Sequence, residues 1–82
     1  MTYLKTQYSN GRIALQTFDE DGFPESRLTV NLPEESCKKD ETFLDINNNP
    51  DVFEQLEALK IPFQEIGFGI SGFCIYPKIK LL

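Results

Sequence analysis

Three short turn signals divide this chain, and the runs between them are patterned for strands. They are Ser9-Asn10-Gly11-Arg12, Asp19-Glu20-Asp21-Gly22 and Ser71-Gly72. Asn-Gly between two alternating runs is the strongest short-range hairpin signal, because a type I′ turn needs positive φ at both central residues. Residues 3–8 (YLKTQY) and 12–18 (RIALQTF) flank it, and Ile13, Leu15 and Thr17 share one face. Residues 25–32 (ESRLTVNL) put Leu28, Val30 and Leu32 on one side and Arg27, Thr29 and Asn31 on the other, the period of a half-buried strand. The first thirty residues are expected to form a three-stranded meander.

Pro33 ends that run, and residues 33–41 (PEESCKKDE) read as a polar surface loop. Residues 42–46 (TFLDI) are a short strand. The period changes over 50–60 (PDVFEQLEALK), where Val52, Phe53, Leu56 and Leu59 recur at helical spacing. Lys60 falls in the last turn, where the helix dipole favours a cation, and Pro62 stops the helix. Residues 63–70 and 73–81 flank Ser71-Gly72 as a closing hairpin. Pro77 belongs at an edge or bulge because it cannot donate to a ladder. The expected class is α+β: a mostly antiparallel five- to six-stranded sheet, β-β-β-β-α-β-β, with one helix packed on one face and residues 1–82 forming a single domain.

The stretch FLDINNNPDVFEQL (43–56) invites a metal reading. Asp45, Asn47 and Asn49 match the first, third and fifth positions of a calcium loop. The sixth position wants Gly and holds Pro50, and the twelfth wants Glu and holds Leu56. No metal is expected. Asn49 as N-cap, Pro50 at the first helical position and Asp51 at the positive end of the helix explain the segment as a helix start. Asn47 and Asn48 are left over, as turn residues or as side-chain amides offered to a partner.

Eighty-two residues bury only about 60% of their unfolded surface. The working part is therefore expected to be a shallow surface or an edge strand rather than a deep cavity. The formal charge is −5. All thirteen acids lie in residues 1–65, and residues 66–82 carry only Lys78 and Lys80. Such a chain repels phosphate backbones, so direct binding to nucleic acid is not expected. No apolar run approaches a membrane span, and the polar start MTYLKTQY is unlike a secretion leader. A cytoplasmic protein with reduced thiols is expected, with Cys74 in the core and Cys37 exposed.

With no His, the Ser-His-Asp and Cys-His arrangements are absent. Asp19 and Asp21 are paired carboxylates on a solvated turn, without the burial that tunes a catalytic acid. Gly67, Gly69 and Gly72 do not make a phosphate loop, and they mark bulges or a close backbone approach. Neither enzymatic activity nor a cofactor is expected.

The succession SNGRIAL, LTVNLP, LDINNNP and SGFCIYP resembles a family of short proteins carried by Gram-positive plasmids, conjugative elements and phages and classed as a domain of unknown function. Its sharpest parts are Asn47-Asn48 through Pro50 and Ser71-Gly72-Phe73-Cys74 through Tyr76-Pro77. The resemblance implies no activity. It implies a genetic setting in which small acidic proteins often bind and block host proteins. The expectation is a non-enzymatic accessory protein whose partner is a host protein. Contacts would be steered by Asp19, Glu20, Asp21, Glu34 and Glu35, with Asn47, Asn48 and Tyr76 as the other candidate surface. The alternative is a homo-oligomer, as small as a homodimer, that binds or sequesters a small molecule in a shared pocket lined by Asn47, Asn48 and Tyr76.

Overall fold

The computed structural model describes residues Thr2–Leu82. It is α+β and antiparallel with one helix, but the strands form two sheets rather than one. The first holds β1 (Thr2–Gln7), β2 (Ile13–Phe18) and β3 (Pro24–Arg27) in chain order, the expected meander. The second holds β4 (Thr29–Val30), β5 (Glu41–Leu44), β6 (Phe63–Ser71) and β7 (Cys74–Leu81) in the order β4-β5-β7-β6. α1 (Val52–Ala58) joins β5 to β6.

The single strand expected over 25–32 is divided at Leu28, and this makes two sheets. Leu28 is fully buried. Its N–H donates to Leu15 O in β2 (2.9 Å), and its carbonyl accepts from Asp45 N after β5 (3.0 Å). One residue thus bonds to both sheets, and the chain leaves the first for the second at that point. Changing sheets through a local bend in a strand is a common way to make a corner. Thr42 ties the sheets again, donating to Ile13 O (2.9 Å).

Both N-terminal turns are three-residue loops rather than the type I′ turn expected at Asn10-Gly11. Tyr8 N bonds Arg12 O and Gly11 N bonds Tyr8 O; Asp19 and Phe23 repeat the arrangement around Gly22. Only the glycines have positive φ, 85° at each, as in a type I turn closed by a left-handed residue.

The helix is shorter than its pattern and starts later. Asp51 is the N-cap, at φ −90° and ψ 14°, and makes no side-chain capping bond. That backbone lies outside the extended region a capping side chain needs. Asn49 is therefore not the cap and Pro50 is not in the helix. The Asn49 amide instead exchanges two hydrogen bonds with the Gln55 amide (3.2 and 3.0 Å). At the other end Lys60 is past the helix, at φ 57°. Lys60 N bonds Glu57 O and Ile61 N bonds Leu56 O, both 3.0 Å. This is the Schellman pattern, with buried Ile61 beside buried Leu56 as its apolar contact.

The core gathers Ile13, Leu15, Leu28, Leu44, Val52, Leu56, Ile61 and Ile79, from β2, the Leu28 corner, the second sheet, the helix and the turn that follows it. Phe53 and Phe63 pack on it with ring centroids 5.9 Å apart. Phe43 is buried on the opposite face of the second sheet, beneath Gly69. A Cβ at Gly69 would lie 2.6 Å from Phe43 Cε1 and 3.1 Å from Leu32 Cδ1. The close approach expected of these glycines is real at Gly69, and Gly67 adjoins a register shift in β6.

Two substitutions test this packing in urea melts. Gly69→Ala should lower stability by about 1–3 kcal/mol, since the buried Phe43 ring cannot move aside cheaply. Lys60→Gly should raise it by about 1 kcal/mol, because glycine adopts the left-handed position without the Cβ clash.

Candidate functional site

The expected site residues do not converge. Asp19 is occupied by its own turn, its Oδ1 accepting from the N–H groups of Asp21 and Phe23 (both 2.9 Å). Glu20 and Asp21 are exposed. Glu34 and Glu35 lie at the other end of β2, where Arg12 donates to the carbonyls of Leu32 and Glu35. A six-residue strand of about 20 Å separates the two acidic groups, so they do not form one face.

Asn47 and Asn48 are exposed and diverge. Asn48 turns back on Asp45, donating to both carboxylate oxygens (3.3 and 3.1 Å). Asn47 lies beside Tyr76. Its amide favours the phenolate, but burial and the neighbouring Cys74 and Asp45 outweigh it, and the Tyr76 phenol is held above its ordinary value. Asn47 and Tyr76 are thus brought together and Asn48 is not. The depression beside Asn48 is open and lined by Glu25, Ser26, Arg27, Asp45 and Asn49, without Asn47 or Tyr76.

The cysteines differ from expectation. Cys74 is half-buried, on the Tyr76 side of β7 rather than in the core. Cys37 is also half-buried, because its thiol donates to Glu41 O (3.0 Å). Burial pushes the Cys37 thiol up, against the pull of Arg12 and Lys78. No three Cys, Asp or Glu side chains among the described residues gather closely enough to hold a metal ion. No helix of the described chain is long and apolar enough to cross a membrane.

What the fold does assemble is an apolar sheet face. β7 pairs with β5 only from Phe43↔Lys78 to Glu41↔Lys80. It pairs with β6 along its whole length. The hairpin tip therefore overhangs β5, and Pro77 sits beyond the β5 ladder, where its missing N–H costs nothing on that side. The nine-residue β6 spans about 30 Å, most of the 35 Å long dimension of the molecule. The seven-residue helix covers only about 10 Å.

Strand alternation shows which face is left bare. Ile79 is in the core, so Pro77 and Ile75 point to the same side. The register shift between Glu65 and Gly67 puts Phe68 opposite Pro77 and Ile70 opposite Ile75. Without it, Gly67 and Gly69 would face that side. Phe68, Ile70 and Ile75 are 63%, 53% and 59% exposed, and Phe73 at the tip is fully exposed. The core surface thus continues along the hairpin with nothing over it. Ile66, Phe68 and Ile70, alternating with two glycines, were the available sequence signal. Residues 66–77 hold no charged side chain.

The edge of β6 is treated differently. Pro77 has no N–H, so Phe68↔Pro77 is a non-hydrogen-bonded pair. The backbone groups of Phe68, and of Ile70 two residues on, therefore point to the free edge. There Ile70 N donates to Glu35 Oε1 (2.9 Å). A carboxylate placed on an outward N–H blocks strand addition at that point.

A family model described as "Domain of unknown function (DUF4313)" matches residues 3–81. The chain belongs to this family. No curated protein and no solved structure matches it.

Around β5, Glu41 Oε1 accepts from Lys38 N (3.1 Å) and meets Lys78 Nζ at 3.3 Å. The Lys38 N–H first, and then Lys78, hold the Glu41 carboxyl below its ordinary value despite burial. A depressed folded pKa contributes stability above the unfolded value, and loses it as pH falls through the folded one. Thermal melts should therefore show the wild type losing more stability than Glu41→Gln between neutral pH and the acid side of the carboxylate range.

Proposed function

We propose that this chain is a non-enzymatic protein-binding module whose working surface is the uncovered face of the β6–β7 hairpin. The observation that carries the reading is the exposure of Phe68, Ile70, Phe73 and Ile75 as one uncharged continuation of the core. Contiguous apolar surface of this kind is characteristic of contact sites. The two candidate acidic groups, Asp19 to Asp21 and Glu34 with Glu35, lie in separate turns, and their chemistry suits steering a partner rather than transforming a substrate. We place the protein in the cytoplasm as an accessory factor of a bacterial mobile element or phage acting on a host protein, the setting that the resemblance read in the sequence implies.

Affinity purification with the wild type, Phe73→Ser and the Asp19, Glu20 and Asp21 triple charge reversal tests this. Phe73→Ser should reduce capture of any specific partner at least tenfold, mainly through faster dissociation, as a buried aromatic anchor does. The triple reversal should slow association and flatten its salt dependence, as rim charges do. Capture untouched by Phe73→Ser and by substitution of Phe68 would move the working surface elsewhere.

A further inference from the structure

We propose that the uncovered β6–β7 face is a homodimer interface, on which a second copy of this chain packs the same face about a two-fold axis. This rests on the reading of the hairpin as a protein-binding surface and names a second copy as its resident occupant, which a host protein would have to displace. Three observations point to a second copy.

The first is area. A large apolar side chain offers on the order of 200 Å². The exposures of Phe68, Ile70, Phe73 and Ile75 then amount to roughly 550 Å² per copy, or about 1,100 Å² for two, just above the size a specific interface must clear.

The second is charge. Each copy carries −5, yet residues 66–77 carry none. The nearest charge on this side is Glu65, opposite Ile79 at the covered end of the hairpin, so two such faces meeting over Phe68, Ile70 and Ile75 bring no like charges together there. A basic or acidic partner would find no complementary group among residues 66–77.

The third is the contrast between edge and face. Glu35 occupies the outward N–H of Ile70, which opposes joining the two copies edge to edge. The side chains above remain free, so the two hairpins pack face to face, as the inner faces of a sandwich do. Gly69 and Tyr76 lie on the opposite side of the hairpin, with Gly69 against Leu32 and Phe43. That side remains outside the interface.

Sedimentation equilibrium of the full chain, over about 1 to 300 µM, tests the proposal. The mass should rise with concentration from the 9.4 kDa of one copy towards twice that value. Phe68→Asp and Ile70→Asp should each weaken association at least tenfold. Both side chains are more than half exposed, so far-ultraviolet circular dichroism should stay at its wild-type value, and so should the melting temperature taken at concentrations where the wild type is a single copy. Leu4→Asp, on exposed β1, should leave association unchanged. Raising salt should tighten the dimer, because it screens repulsion between two acidic copies.

A single-copy mass at every concentration overturns the dimer. So does association that Leu4→Asp abolishes and Phe68→Asp does not. A monomer that still captures another protein, with capture lost in Phe68→Asp, overturns the dimer and keeps the partner-binding hairpin. Capture indifferent to Phe68→Asp and Phe73→Ser removes that wider reading as well.

Discussion

The architecture hangs on Leu28. Its N–H is bonded to β2 and its carbonyl to the segment after β5, while its side chain is fully buried between them. Both backbone groups must be satisfied once they leave water. Spending one on each sheet fixes where the chain turns from the first to the second. Every later element follows from that corner: β4 pairs with β5, β5 with β7, and the inner surfaces of both sheets close on one core.

Length then decides which part of that core surface stays open. A helix of about 10 Å cannot cover a hairpin of about 30 Å. The helix is limited by its ends. Asp51 starts it without a side-chain cap, and the left-handed Lys60 with Pro62 closes it after two turns. It packs over the Ile79 end, where Phe53 meets Phe63, and the Phe68 and Ile75 end is bare. A small chain has little apolar surface to spare. That it leaves such large side chains exposed together, in an otherwise acidic molecule, is the main functional observation in the structure.

Meander, closing hairpin and single helix were legible because each rests on local chemistry: alternation, a glycine-containing turn, or a 3.6-residue period. Gly69 was legible as a close approach, though its neighbours Phe43 and Leu32 were not. The errors lie where local signals compete. Asn49-Pro50-Asp51 has the composition of a helix start, but Gln55 offers Asn49 two hydrogen bonds in place of one. Lys60 suits the last turn electrostatically, yet the chain reverses there, and no local signal such as glycine marks it. Of the candidate site residues, Asn47 and Tyr76 do come together, whereas the two acidic groups lie at opposite ends of β2.

By itself the sequence determined the elements, their antiparallel sense, the absence of histidine chemistry and the concentration of acid before residue 66. These are properties of composition and of neighbours within a few residues. Only the tertiary structure decided that residues 25–32 serve two sheets, that the bulge at Glu65 rotates Phe68 and Ile70 onto the core side, and that the helix stops short of them. Alternation shows that a strand has two faces. Which face is covered, and how far along, depends on contacts between residues far apart in the chain.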